Sequence, residues 1–124
     1  MKLLKFLLIA FISLIIYSCI DDEAQLTENI ETDNFYFEKA NDESLDFKNR
    51  HSSADTILVI ISNQANDSLN RINYFKLANR YFNMNAMDDY KKITEVIVLN
   101  SKKAKDSVSL AKAYSYLGDY YGSK

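Results

Sequence analysis

The chain has 124 residues with no proline, two glycines, one cysteine and a formal charge of −2. This length suits one small domain with a leader, and so little glycine and proline excludes turn-rich and phosphate-cradling architectures. Ten carboxylates accompany one lysine between Asp21 and Asp46, whereas twelve Lys and Arg outnumber seven Asp and Glu from Phe47 onward. This surplus is too small and dispersed to favour nucleic-acid binding.

The first twenty residues, MKLLKFLLIAFISLIIYSCI, have the pattern of a secretory leader. Lys2 and Lys5 precede an apolar run of twelve residues from Phe6 to Tyr17, which is shorter than the roughly 20 residues that span a bilayer. Its length is that of a signal-peptide core. We therefore expect a signal peptide over residues 1–18, with an uncleaved anchor helix or an ordinary signal peptide as the alternatives.

The leader ends in Ile16-Tyr17-Ser18-Cys19, which resembles the lipobox of bacterial lipoproteins. The resemblance implies cleavage before Cys19, a diacylglycerol on its sulfur, and attachment to the outer membrane of a Gram-negative bacterium. Cys19 is the only cysteine, so no disulfide is expected. Asp21-Asp22-Glu23 lies in an acidic tether over residues 19–32 and resembles an export signal for surface display. Whether the chain faces the periplasm or the exterior stays open.

Residues 33–66 are expected to contain a divergent helix pair, with one helix within 32–50 and the second within 53–66. The apolar run at 56–61 is equally typical of a buried strand. Helix is preferred because no second strand candidate is present to pair with it. His51 lies in a polar stretch between the two segments, and we expect it to be a surface residue in a turn.

Two segments that begin with Asp-Ser recur at a fixed offset: DSLNRINYFKLANRYF at 67–82 and DSVSLAKAYSYLGDYY at 106–121. Their apolar residues fall mainly at every third position, which predicts one helix face formed in the first segment by Leu69, Ile72, Phe75, Ala78 and Phe82. The leading Asp-Ser pairs suit helix starts. Residues 87–105 predict a further helix, with aspartates in its first turn and lysines at its end. An Asn-containing turn at 83–86 precedes it.

The pattern Tyr114-x-x-Leu117-Gly118-x-x-Tyr121 resembles the first helix of the tetratricopeptide repeat, and 67–82 is a degenerate copy. The resemblance implies an all-α fold, with antiparallel helix pairs of a tetratricopeptide-like α-solenoid over residues 67–124. It also implies that Gly118 lets a neighbouring helix approach closely. The residues that would pack between helices are Phe75, Ala78, Phe82, Tyr114, Leu117, Gly118 and Tyr121. A generic helical hairpin plus one helix is the alternative.

In tetratricopeptide arrays the concave groove typically holds a peptide. By position, the resemblance implies the groove residues Asn73, Lys76, Arg80, Lys112, Ser115 and Asp119. Their net positive charge favours an acidic partner, with the chain's own 21–46 segment as one candidate. We expect a non-enzymatic envelope lipoprotein that serves as a protein or peptide interaction scaffold. The alternative is a truncated N-terminal sensory segment of a regulator with a histidine kinase or DNA-binding output, which the apolar last helix favours.

Catalytic chemistry is not expected from the polar residues. His51 is the single histidine, and no second histidine or cysteine is present to share a metal with it. No nucleophile motif surrounds a serine, and the adjacent aspartates at 21–22 and 88–89 suit a tether and a helix start rather than an opposed acid and base. We therefore expect no catalytic residue, metal or cofactor.

Overall fold

The structure, a computed structural model, describes residues 34–124. Its helices are α1 at 34–41, α2 at Phe47–Ser62, α3 at Ser68–Asn83, α4 at Met87–Ala104 and α5 at Ser107–Gly122. No strand occurs in this range, so the predicted all-α class is confirmed and the run at 56–61 is helical. The predicted signal peptide, acidic tether and lipidation site at Cys19 lie outside the described residues.

Three of the helices begin behind an aspartate cap. The carboxylate accepts a backbone N–H three residues later in each case: Asp46 from Asn49 at 2.8 Å, Asp67 from Asn70 at 2.7 Å and Asp106 from Ser109 at 3.0 Å. Each cap pairs an N–H group that lacks a partner within the helix. The predicted caps at Asp67 and Asp106 are confirmed. The predicted helix start near residue 53 is wrong, because the cap at Asp46 starts α2 at Phe47.

Two short turns connect the last three helices. Asn85 has a φ of 60° and Lys105 a φ of 54°, so each reverses the chain through the left-handed region, which asparagine adopts more readily than most residues other than glycine. The prediction of a left-handed Asn in the 83–86 turn is confirmed. Only residues 84–86 separate α3 from α4, and only residues 105–106 separate α4 from α5. Turns this short hold successive helices side by side in opposite directions.

Side-chain contacts show the directions of the helices. At one end of the α2–α3 pair the Asn70 amide donates to the Ile61 carbonyl at 3.0 Å, and at the other the Tyr81 hydroxyl donates to Asp55 at 2.8 Å. These two helices are therefore antiparallel, and each helix from α2 to α5 packs against the next along the chain. Residues Phe35–Lys124 form one compact unit.

The buried face of α3 differs from the predicted one. Leu69 is 62% and Ile72 50% exposed, so the predicted stripe through these two residues is wrong. On a helix of 3.6 residues per turn, each step of three residues falls about 60° short of a full turn. Residues at every third position therefore leave the buried face of the helix after two steps. Alternating steps of three and four keep to one face, as the residues that α3 buries do: Asn70, Arg71, Tyr74, Phe75, Leu77, Ala78 and Tyr81.

Buried residues of one helix have counterparts in the helix two places further along the chain. The sequence separation between counterparts has two nearly equal values, which we name the repeat offsets. The first takes α2 to α4 and relates Ser53, Ala54, Ile57 and Ile61 to Ile93, Thr94, Ile97 and Ser101, all of them buried. The second offset relates residues of α3 to residues of α5 and equals the separation between Asp67 and Asp106. It relates six buried residues of α3 to six of α5 that are buried or partly buried: Ser109, Leu110, Ala113, Tyr116, Leu117 and Tyr120. Phe75 is the exception, because it is 5% exposed and its counterpart Tyr114 is 49% exposed.

His51 connects three helices, and its predicted place in a surface turn is wrong. It lies inside α2, where Nδ1 is 3.1 Å from Asp55 and Nε2 is 2.9 Å from Asp89 of α4. Tyr81 of α3 packs its ring 5.4 Å from the imidazole. The hydrogen bond with Asp89 is the main cause that raises the pKa of His51 above its ordinary value, and Asp55 adds to it. One imidazolium therefore ties α2 and α4 together beside α3.

We expect the free energy of unfolding to decrease as the pH rises through the folded-state pKa of His51. The unfolded histidine titrates near about 6.5, and the folded-state pKa is higher. The stabilisation is therefore complete below the unfolded value and is lost above the folded one. His51→Gln should cost on the order of 1 kcal/mol in the acidic half of this window, as expected for a partly exposed ion pair. Urea unfolding followed by circular dichroism measures both effects.

Lys48→Gln is the matched control, because it also removes a positive charge from α2 but lies on the exposed surface. Its pH profile should parallel that of the unmodified chain. A His51→Gln profile with an unchanged slope between about pH 6 and pH 9 would contradict the prediction.

Candidate protein-interaction groove

The N-terminal halves of α3 and α5 face each other and run in the same direction. Arg71 of α3 pairs with Asp106, which caps α5, and further along both helices Phe75 contacts Lys112. Helix α4 packs against both of them. The two predicted Asp-Ser helices therefore lie side by side, with their first turns at the same end.

The contact between Arg71 and Asp106 sets the spacing at this end. Nε of Arg71 is 3.0 Å from Asp106 Oδ2, and the two side chains are 9% and 22% exposed. Nη1 donates to the carbonyl and the side-chain oxygen of Asn66 at 3.0 and 3.2 Å. The Ser109 backbone N–H and hydroxyl are the main causes that lower the pKa of Asp106, and Arg71 lowers it further. The carboxylate is thus charged at neutral pH and joins the two helix starts.

Aromatic rings line the next turn. Phe75 packs edge-on against Tyr116 with ring centroids 5.2 Å apart. The ammonium of Lys112 lies 4.6 Å from the Phe75 ring centroid and 5.9 Å from that of Tyr116. A cation is attracted to the face of an aromatic ring, so Lys112 is held across the space between α3 and α5.

An open cleft lies between these two helix halves, and we name it the α3–α5 cleft. Its lining residues are Ser68, Ile72, Phe75, Asp106, Val108, Ser109 and Lys112. Val108 is 79% exposed and Ile72 is 50% exposed, so both walls present aliphatic surface to solvent. Lys112 supplies a positive charge, and the carboxylate of Asp106 is occupied by Arg71 and Ser109. The cleft can therefore bind a short aliphatic segment that carries negative charge beside it.

The six predicted groove residues have different surroundings. Of the six, only Lys112 lines the α3–α5 cleft. Lys76 and Arg80 contact α1 instead, since their charged groups lie 5.7 and 6.0 Å from the ring centroid of Phe37. Nε of Arg80 also donates to the Phe37 carbonyl at 3.2 Å.

The contact between α1 and α3 differs in kind from the acidic contact predicted for the 21–46 segment. Its polar contacts are a ring face and a backbone carbonyl, rather than carboxylates. Of the remaining groove candidates, Asn73 is partly buried, whereas Ser115 and Asp119 are exposed. Lys76 and Arg80, which were predicted to bind a partner, thus contact α1 of the same chain.

The predicted packing residues divide into two groups. Phe75 and Ala78 are buried and Leu117 is partly buried, whereas Phe82, Tyr114 and Tyr121 are 44%, 49% and 61% exposed. A Cβ added to Gly118 would meet no atom within 4 Å. No helix among the described residues therefore approaches this glycine.

Two ion pairs, Arg71 with Asp106 and His51 with Asp89, were not predicted from the sequence because the paired residues are far apart in the chain. Arg71 and Asp106 are separated by 35 residues, and His51 and Asp89 by 38. The only signal for Arg71 is that a charged residue falls among the residues α3 buries. Across residues 34–124, no three His, Asp or Glu side chains are arranged to hold a metal ion.

Comparisons with protein-family models, with curated proteins and with solved structures each give no match. Functional inference therefore depends on the geometry of α1 to α5 and on the patterns in the leader. Within the part of the chain that the structure describes, no helix has the length and apolar character needed to cross a bilayer.

Arg71→Met should lower the melting temperature by about 5 °C or more, because it leaves a partly buried carboxylate without its cation. Asp106→Asn retains a capping side chain at the start of α5 and should cost less. The melting temperature of the double variant should fall by less than the sum of the two single decreases, because both changes remove the same contact. Thermal unfolding followed by circular dichroism gives all three values, and fully additive losses would show that the pair is not coupled.

Proposed function

We propose that this chain is a membrane-anchored envelope lipoprotein without enzymatic activity, whose tetratricopeptide-like helices serve as a protein or peptide interaction scaffold. The observation that carries the proposal is the recurrence of buried positions from α2 to α4 and from α3 to α5, at nearly the same offset. A recurrence of this kind is the property of stacked helical repeats, in which each unit packs only on its neighbours.

The first described helix supports the same relation. Phe37 and Ala40 of α1 are buried and have the same spacing as the buried Phe75 and Ala78 of α3. When Phe37 is aligned with Phe75, the last residue of α1 falls at the position of Asn79, whereas α3 continues to Asn83. Helix α1 is therefore shorter than α3. The turn after α1 is longer than the turn after α3, but by less than this difference in helix length. A helix pair repeated with a shorter first helix in its first copy would give this pattern.

The contacts between alternate helices also suit a solenoid. His51 and Asp89 join α2 to α4, and Arg71 and Asp106 join α3 to α5. Helices at equivalent places in successive pairs thus contact each other directly. Solenoids of this kind present extended surfaces along one series of helices, and the α3–α5 cleft lies on such a surface in the proposed arrangement.

The partner that best fits the α3–α5 cleft is an acidic peptide with an aliphatic anchor. Ile72 and Val108 offer exposed apolar walls, and Lys112 offers a positive charge. Electrostatic complementarity of this kind contributes to specificity and to the rate of association. The residues available for binding differ from those first predicted, because Lys76 and Arg80 contact α1.

Lys112→Ser should weaken binding of a fluorescent Glu/Leu peptide by about threefold to tenfold and reduce its salt dependence, because a charge at the cleft is removed. Fluorescence anisotropy at low and high salt measures both. Lys103→Ser is the control, since it removes an equal charge from an exposed position outside the cleft. Equal affinities for the two variants would remove the α3–α5 cleft from the proposal.

Membrane attachment is supported by the sequence of the leader, in which Ile16-Tyr17-Ser18-Cys19 resembles a lipobox. We expect mass spectrometry of the native product to show an N-terminus at Cys19 with the added mass of a diacylglycerol and an acyl chain. Cys19→Ser should abolish this processing, whereas Ser18→Ala keeps a small residue before the cleavage site and should be processed. A product with an unmodified Cys19 would contradict lipidation. Protease treatment of intact cells would then distinguish the periplasmic from the exposed face of the outer membrane.

A second candidate is the N-terminal sensory segment of a longer regulator. The exposure of Tyr114 and Tyr121 on α5, at 49% and 61%, favours it because a further helix of an array would cover such residues. The same mass spectrum distinguishes the two candidates, since a longer regulator would yield peptides that extend past Lys124.

A further inference from the structure

A second exposed surface lies on α4 and α5, away from the α3–α5 cleft. Nζ of Lys91 is 5.6 and 5.9 Å from the ring centroids of Tyr120 and Tyr121, and Nζ of Lys102 is 5.9 Å from that of Tyr114. Tyr114 and Tyr121 are about half exposed or more. We name this surface, defined by these five residues, the α4–α5 groove. It combines aromatic area with two positive charges.

The residues of this groove have counterparts on α2 and α3. The repeat offsets relate His51 to Lys91, Asp55 to Glu95 and Tyr81 to Tyr120. His51 pairs with Asp55 at 3.1 Å, and Lys91 pairs with Glu95 at 3.7 Å, both across one helical turn. The His51 and Tyr81 rings are 5.4 Å apart, and Lys91 lies 5.6 Å from the Tyr120 ring. The same arrangement of cation, carboxylate and tyrosine thus occurs twice.

Helix α4 packs against the first of these two arrangements. Asp89, in its first turn, reaches His51 at 2.9 Å. The adjacent Tyr90 packs its ring 5.2 Å from that of Phe82 in α3. The first turn of α4 thus brings a carboxylate to the cation and an aromatic ring to the aromatic residue of the neighbouring helix.

The second arrangement lacks such a helix among the described residues. Lys91 occupies the place of His51, and Tyr121 occupies the place of Phe82. The carboxylate beside Lys91 is Glu95 of its own helix, which corresponds to Asp55 rather than to Asp89. A third cation, at the end of the chain, lies 4.7 Å from the Tyr120 ring. The groove therefore has three cations against its tyrosine rings, with Glu95 beside Lys91 and Asp88 near Lys124, and an exposed aromatic face at Tyr114 and Tyr121.

We infer that the α4–α5 groove binds an amphipathic helix of a partner protein, antiparallel to α5, with a carboxylate in its first turn at Lys91 and an aromatic side chain beside it at Tyr121. A carboxylate in the first turn is also favoured by the partner helix's own dipole. The inference rests on the repeat relation in the proposed function, but on neither the lipid anchor nor the α3–α5 cleft.

A fluorescein-labelled peptide with the sequence of residues 85–104 is the first probe, because α4 occupies the equivalent position in the first arrangement. The target is the full-length chain in mild detergent, and binding is measured by anisotropy. We expect saturable binding that falls by about fivefold when the peptide carries Asn in place of Asp89 or when the chain carries Lys91→Ser. The two changes together should cost little more than either one, because they remove one contact.

Two further variants separate the groove from general charge and from folding. Tyr121→Ser should weaken binding by about tenfold, the effect of losing a buried aromatic contact, and its exposure in the free chain should leave the helical fold intact. Lys103→Ser should leave binding unchanged, since it removes a lysine from α4 outside the groove. Circular dichroism confirms that each variant remains folded.

A chain extended after Gly122 by a copy of residues 84–104 avoids the cost of folding a free peptide. Its melting temperature should rise by about 4 °C or more, and Asn at the place of Asp89 in the added helix should reduce that rise. No saturable binding together with no stabilisation would overturn the inference, and so would binding insensitive to both Lys91→Ser and the Asn peptide. A wild-type dimer in sedimentation that Tyr121→Ser dissociates would also overturn it, by assigning the groove to a second copy. Retained Lys112-dependent binding of the acidic peptide would then leave the proposed scaffold function standing.

Discussion

The arrangement of the helices depends on two charge pairs that join helices two places apart. Short turns are enough to place each helix beside the next, but they do not determine how α2 meets α4 or α3 meets α5. His51 with Asp89 and Arg71 with Asp106 make those contacts, at 2.9 and 3.0 Å. Removing charged groups from water has a cost, so losing one member of such a pair is more costly than the net stability that the pair adds. The α3–α5 cleft and the α4–α5 groove follow from that arrangement.

Equivalent positions differ in exposure because their neighbours differ. Phe75 is buried because α5 lies beside α3, with Tyr116 and Lys112 against its ring. Tyr114 is the counterpart of Phe75 in α5, but no described helix lies beside α5 in the equivalent place, and Tyr114 is 49% exposed. The same amphipathic pattern therefore gives core in one copy and accessible surface in the other.

The positive charges of the second half of the chain serve two purposes that composition does not separate. Lys76 and Arg80 hold α1 through the ring and carbonyl of Phe37. Lys112 and Lys91 lie against aromatic rings at the edges of open surfaces. In both uses the ring face attracts the cation while part of the lysine or arginine stem packs on it.

The sequence alone determined the local features of the fold. The caps at Asp67 and Asp106, the left-handed Asn85 and the helical class of the chain follow from interactions within about one turn of backbone, which neighbouring residues specify. The tertiary structure decided which face of α3 is buried, that His51 joins three helices, and that Arg71 meets Asp106. The two ion pairs join residues 35 and 38 positions apart. Local pattern does not identify the partners in such contacts, because they meet only once the helices have packed.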